Sequence, residues 1–255
     1  MLKIESSSNA VIKNTKKLLT RSGRKKTDTF IIEGERIVKD AVRNGADIKY
    51  IIVSESYHGD TDFGEVRTYC VTDKLFEEFK STVNSQGIIA VAGYINKNLS
   101  ELNFSGGVYL YLDSVQDPGN MGTIIRSADA FGVKGVVLSA GCVDVFNPKV
   151  LRSTMSGIFS VDIFFDDGSA IKKFADNGYD VVGTFPVGST NSCQYEYLPK
   201  TLVVMGNEAN GICPEIEKMC TGRVSIPMSG NAESLNVSVA CGIMLYEVFT
   251  KTNWA

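Results

Sequence analysis

Between positions 108 and 251 short apolar runs alternate with helical runs, and no other feature of the chain constrains its fold as strongly. The spacing predicts strands over 108–113, 135–139, 161–165, 180–185, 201–205 and 223–226. Between them it predicts helices over 121–131, 148–156, 170–177, 214–219 and 237–251. When each strand is followed by a helix, the helix carries the chain back along the sheet. Successive strands then lie parallel, with helices on both faces. A sheet of that kind receives ligands in the loops at the carboxyl ends of its strands.

Three of those loops are unusual. The first, residues 117–132 (DPGNMGTIIRSADAFG), turns at Pro118 and Gly119 and offers Asn120 as a helix N-cap and Gly132 as a stop. Arg126 lies on that helix among Ile124, Ile125, Ala128 and Ala130. A charge in apolar company is expected to have a partner. The second loop, 205–212 (MGNEANGI), sets Glu208 between two glycines that let the backbone approach a ligand closely. The third, 226–240 (IPMSGNAESLNVSVA), leaves a strand and enters the last helix with Ser234 or Asn236 as its cap. The N–H groups at such a helix start suit an anion. Each loop alone fits an ordinary structural turn. Three in one half of the chain, all at strand ends, point to a site.

The first ninety residues make a smaller α/β pattern. A basic helix is expected over 9–20, a strand over 29–33, an amphipathic helix over 34–44 ended by Gly45, strands over 48–53, 66–71 and 87–94, and a capped helix over 73–80. The polar stretch 95–107 (INKNLSELNFSGG) is the best linker in the chain. The expected division is therefore a domain over 1–95, a linker over 96–106 and a larger domain over 107–255.

The formal net charge is −3, but residues 1–100 hold 16 basic and 13 acidic side chains while residues 101–255 hold 10 and 16. Within 1–26 there are eight basic side chains and one acid, Glu5. Lys13, Lys16, Lys17, Arg21, Arg24, Lys25 and Lys26 are the candidates for phosphate contact. A solvated basic helix is the alternative reading.

Several classes are disfavoured. One histidine, His58, and six scattered cysteines without a C-x-x-C pair argue against a zinc site and against a Ser-His-Asp triad. Neither G-x-x-x-x-G-K-[ST] nor G-x-G-x-x-G occurs. No apolar run reaches membrane-spanning length and the first residues lack a signal-peptide core, so a cytoplasmic protein with reduced thiols is expected.

The three loops together resemble the three motifs of the SpoU (TrmH) family of RNA ribose 2′-O-methyltransferases. Asn120, Gly122, Arg126, Ala128, Phe131 and Gly132 match N-x-G-x-x-x-R-x-A-x-x-F-G, residues 206–211 match G-N-E-x-x-G, and residues 226–240 match the third motif in order and spacing. Residues 1–95, with FIIEGER at 30–36, are similar to the ribosomal-protein-like substrate-binding domain found in this family.

The resemblance implies a knotted α/β methyltransferase fold whose C-terminal segment threads a loop as a trefoil, an exception to the usual absence of knots. It implies S-adenosylmethionine (AdoMet) lying against Thr184, Gly206, Ile226 and Leu235, no metal, and a homodimer that completes the site across its interface. Arg126 would contact the reacting ribose or its phosphate, with Asn120, Glu208, Ser234 and Asn236 orienting it and the RNA. A guanidinium stays protonated, so stabilising an alkoxide or clamping a phosphate suits Arg126 better than acting as a base. Ribosomal RNA, most naturally 23S, is the expected substrate. Transfer RNA, and a non-catalytic RNA-binding or assembly role, are the alternatives.

Overall fold

The computed structural model describes residues 1–252. These form two compact units, one of residues 1–95 with 146–159, the other of residues 96–145 with 160 onward.

The first unit is built on a mixed five-stranded sheet. Its strands are β1 (Leu2–Ile4), β2 (Thr29–Glu33), β3 (Ile48–Ser54), β4 (Thr68–Val71) and β5 (Ile88–Gly93), in the order β1-β4-β3-β5-β2. β4 runs parallel to both β1 and β3, whereas β5 pairs antiparallel with β3 and β2. Its helices are α1 (Ala10–Lys17), α2 (Arg21–Thr27), α3 (Glu35–Arg43) and α4 (Asp73–Phe76). The basic helix expected over 9–20 is thus two. α1 starts under the Asn9 side chain, which accepts the Val11 N–H, and Thr20 opens α2 by accepting the Gly23 N–H. In α3, Ile37, Val38 and Ala41 are buried, the i, i+1, i+4 spacing of one helical face.

The second unit carries β6 (Asn96–Lys97), β7 (Gly107–Leu112), α5 (Pro118–Ala130) and β8 (Gly135–Leu138). The helix α6 (Pro148–Thr154) follows in sequence but lies in the first unit. The second unit then continues with β9 (Asp162–Phe165), α7 (Ala170–Asp176), β10 (Asp180–Thr184), β11 (Thr190–Asn191), β12 (Lys200–Met205), α8 (Pro214–Glu217), β13 (Gly222–Ser225) and α9 (Val237–Thr252). Its eight strands are ordered β11-β13-β10-β12-β7-β8-β9-β6, and every pairing is parallel. β7, β8, β10 and β12 are almost wholly buried, as expected of strands covered on both faces.

Two of the expected boundaries are corrected. Residues 96–106 are not a linker. Asn96 and Lys97 add an edge strand to β9, Lys97 Nζ meets Asp162 Oδ2 at 2.7 Å, and Leu99 and Leu102 are buried in the core with Tyr109, Phe174 and Tyr179. The polar composition hid two leucines that anchor the segment. Residues 146–159 lie inside the expected larger domain but fold into the first unit. The Phe146 ring stacks on Phe30 at 4.7 Å and on Tyr94 at 4.1 Å between centroids, and Ser156 Oγ donates to Asp40 Oδ2 at 2.8 Å. Local patterning shows that 148–154 is helical; it does not show which sheet that helix covers.

Candidate active site

Adjacent parallel strands bring their carboxyl ends together. In the register of β13, β10 and β12, Thr184 lies opposite Val224, and Gly183 opposite Val204. Thr184, Gly206 and Ile226 therefore stand within about two residues of one another along the sheet edge. Thr184 Oγ1 donates to the Val204 carbonyl at 3.0 Å, so its hydroxyl ties β10 to β12. A Cβ on Gly206 would sit 2.2 Å from the Gly211 carbonyl carbon, so only glycine lets residues 206–212 fold back on themselves. Asn207 and Gly211 close that turn with paired backbone bonds of 2.9 and 3.0 Å. Leu235, half-buried, precedes α9.

α5 begins differently from expectation. Asp117, not Asn120, is the N-cap: its Oδ1 accepts the Asn120 N–H at 2.8 Å, and Pro118 takes the first helical position, where a missing N–H costs nothing. Asn120 lies one turn in, and its side chain is free for other contacts. Its Nδ2 donates to Glu208 Oε1 at 3.1 Å, while its Oδ1 accepts from Asn236 Nδ2 at 2.9 Å. Glu208 also accepts the backbone N–H groups of Gln116 at 3.2 Å and Asp117 at 3.0 Å. Asn236 caps α9 by accepting from Ser238 N at 2.9 Å and Val239 N at 3.3 Å. One continuous chain, Asn236–Asn120–Glu208, thus joins all three motif segments. Partial burial pushes the Glu208 carboxyl up, but the Asn120 amide and the N–H groups of Asp117 and Gln116 outweigh it, leaving the pKa below its ordinary value.

Two expected site residues stand apart from this chain. Arg126 is exposed and makes no hydrogen bond or ion pair among the described residues, so the expected intrachain partner is absent. The buried stripe of α5 is Met121, Gly122, Ile124, Ile125 and Ala128, and position 126 falls outside it. Arg126 lies about 9 Å further along the helix axis than Asn120 and on another face. Ser234 is exposed, and between it and Asn236 only Asn236 caps the helix.

Residues not singled out from sequence hold the loops in place. Asp113, buried at the end of β7, accepts the Cys213 N–H at 2.8 Å and the Ser114 hydroxyl at 3.1 Å. Asn207 donates to the Ser114 carbonyl at 2.7 Å and accepts the N–H groups of Ala209 and Asn210 at 3.0 Å. An acid ending an apolar run was the available signal for Asp113. Asn207 carried its own signal as the second position of the G-N-E-x-x-G match.

The basic candidates also divide. Lys13, Lys17, Arg21, Lys25 and Lys26 are exposed. Lys16 is paired with Glu78. Arg24 is buried, with Nη1 donating to the Leu18 carbonyl at 2.8 Å, and is removed from the phosphate-contact set. Its guanidinium braces the turn between α1 and α2.

A parallel sheet with ligand loops at its carboxyl edge, carrying these three motifs, defines a methyltransferase-type unit. Residues 107–246 match the model of the SpoU rRNA Methylase family, and residues 9–90 match the MRM3-like substrate binding domain. The chain belongs to the SpoU rRNA methylase family. It is 34% identical over 253 residues to the 23S rRNA (guanosine(2553)-2′-O)-methyltransferase RlmP of Bacillus subtilis, covering 97% of this chain and 99% of that one. Among solved structures it is similar to an AdoMet-bound rRNA methyltransferase from Sinorhizobium meliloti, with TM-score 0.89, 28% identity and 97% of each chain covered. It is also similar to the AdoMet complex of the SpoU methyltransferase AviRb from Streptomyces viridochromogenes, with TM-score 0.85, 26% identity, and 95% and 97% covered.

Proposed function

We propose that this chain transfers a methyl group from AdoMet to a ribose 2′-hydroxyl of 23S ribosomal RNA. The observation that carries this reading is the Asn236–Asn120–Glu208 chain, which assembles three distant motif segments at the sheet edge. The names of the relatives and the substrate-binding match over residues 9–90 support ribosomal RNA over transfer RNA.

The residues present fit the cofactor. Thr184, Gly206, Ile226 and Leu235 offer backbone groups at the sheet edge, with apolar surface from Ile226 and Leu235, which suit a neutral adenosine. When bound, AdoMet supplies a methyl already activated on sulfonium. The protein's task is to align the ribose oxygen and assist loss of its proton. Glu208, held anionic, fixes Asn120 and the start of α5. Asn120 in turn holds Asn236 and the start of α9. Arg126, exposed and without a hydrogen bond or ion pair among the described residues, acts on the RNA, either stabilising the forming alkoxide or clamping the adjacent phosphate so that a phosphate oxygen takes the proton. Ser234 lies beside Leu235 and orients the RNA.

The homodimer belongs to the same reading. Val239 and Tyr246 on α9 are 52% and 57% exposed and lie one heptad apart, with Ile243 between them and Phe249 beyond. A second copy covering this face would carry Arg126 toward a neighbouring site. The C-terminal trefoil knot is part of the proposal, supported by the return of α9 to α5, where Phe131 meets Tyr246 and Phe249 at 6.4 and 6.0 Å. The first unit binds RNA, its exposed Lys13, Lys17, Arg21, Lys25 and Lys26 meeting phosphates.

The test is a methyl-transfer assay with labelled AdoMet on a 23S rRNA transcript and on total tRNA, followed by alkaline hydrolysis. Label at one hydrolysis-resistant linkage of 23S rRNA is expected. Label on a base, or on tRNA alone, overturns the assignment.

A further inference from the structure

Away from the candidate active site, the first unit contains a cavity of about 500 Å³ lined by the end of β3, by α4 and by the loop of residues 80–87. The loop is unusually well held from behind. The half-buried Glu33 carboxylate accepts the Ser81 N–H at 2.7 Å together with the hydroxyls of Ser81 and Thr82. Those bonds, with one from Ser85, overcome the effect of burial and keep the Glu33 pKa below its ordinary value. Arg152 Nη1 donates to Ser81 Oγ at 2.8 Å, and Gln86 Oε1 accepts the Glu35 N–H at 2.8 Å. Gly87, at φ +76°, closes the loop against Ser54, whose hydroxyl a Cβ there would meet at 2.5 Å.

So firm a base presents a free tip. Val83 is 89% exposed, and the Asn84 amide makes no hydrogen bond among the described residues. The charged groups around the cavity, Asp73, Glu77 and Lys80, leave its lining net acidic. Lys80 pairs with Glu77 at 2.6 Å and donates to the Val83 carbonyl at 3.2 Å, while Asp73 accepts from Ser56 Oγ at 2.8 Å. Beside them the lining offers the Asn84 amide, the hydroxyls of Ser54, Ser56 and Ser85, and the apolar side chains of Phe76 and Val83. Such a surface is poor for phosphate and well suited to the hydrogen-bonding edge of an unpaired base with its ribose 2′-hydroxyl. A cavity of this size accommodates one nucleotide.

We propose that the loop of residues 80–87 is a nucleotide-reading site for the RNA substrate, taking one unpaired base between Val83, Asn84 and the β3–α4 wall. The inference rests on the RNA methyltransferase reading and adds to it a residue-level recognition site separate from the basic helices. Base-edge contacts release no counterions, whereas phosphate contacts do, and the two are separable by salt.

The experiment compares the full-length chain with the Val83→Ala/Asn84→Ala double variant for binding to a 23S rRNA transcript across a salt series, with methyl transfer measured on the same RNA. Both positions are exposed, so thermal melting and AdoMet binding should be unchanged. About a tenfold loss of RNA affinity with an unaltered salt slope is the expected result. Affinity equal to the unaltered chain, or a loss accompanied by a flatter slope, overturns the site while leaving the enzyme reading intact if the unaltered chain transfers methyl. Absence of transfer by the unaltered chain overturns both.

Discussion

Glu208 collects two backbone N–H groups and one side-chain amide, and hydrogen bonds to a carboxylate are strongest while it is ionised. Its folded pKa lies below the ordinary 4.5, so its contribution to loop order is complete above that value and is lost as the pH falls through the folded pKa. AdoMet affinity measured by calorimetry should therefore hold down to about the ordinary glutamate value and fall below it. Glu208→Gln should bind more weakly and lose that acid-side dependence; a dependence that persists in the variant assigns the titration elsewhere. Arg126 makes the opposite kind of prediction, because no hydrogen bond or ion pair among the described residues depends on it. Arg126→Ala should leave melting and AdoMet binding near normal while methyl transfer falls by about 10²–10³, the usual cost of removing a transition-state donor. Near-normal turnover would end its assignment to the chemistry.

At the scale of elements, α1 and α2 mix two kinds of basic residue that look alike in sequence. Replacing the exposed Lys13, Lys17, Arg21, Lys25 and Lys26 by Gln should weaken RNA binding and flatten its salt dependence without changing melting. Arg24→Ala should do the reverse, lowering stability by about 1–3 kcal/mol through the carbonyl it leaves unbonded and changing the salt slope little. Thermal melts alongside binding isotherms separate the two. The helix starts were legible where a capping side chain precedes an apolar stripe, as at Asn9 and Thr72. At α5 the same logic chose Asn120, because Asp117, Pro118 and Asn120 all satisfy local rules. Only the tertiary partners Glu208 and Asn236 decide that Asp117 caps and Asn120 reaches outward.

At the scale of the whole molecule, the first unit is completed by residues 146–159. Phe146→Ala removes a fully buried ring stacked between Phe30 and Tyr94, and about 3–5 kcal/mol of stability should go with it. Denaturant titration of the full chain checks this. A fragment of residues 1–95 should melt well below the intact unit, since it lacks that ring and the Arg152 and Ser156 bonds. Assembly is tested on α9: Tyr246→Glu places a charge in the exposed apolar stripe and should shift the chain toward monomer in sedimentation while abolishing methyl transfer. A monomeric variant that still turns over would show that one chain holds a complete site.

Strand and helix alternation, the parallel sheet and the three motif loops were readable in the sequence because each depends on residues close together: a period of two or 3.6, a cap, a glycine where a side chain would collide. The joining of Asn120, Glu208 and Asn236 was not readable, since those side chains lie 88 and 116 positions apart and meet only when neighbouring strands fix their loops. The burial of Arg24, the solvent-facing Arg126, the anchoring of residues 96–106 and the transfer of 146–159 to the first unit were decided the same way. Local pattern shows that a face is apolar or charged. Which surface meets that face is settled by long-range packing, and only the tertiary structure contains it.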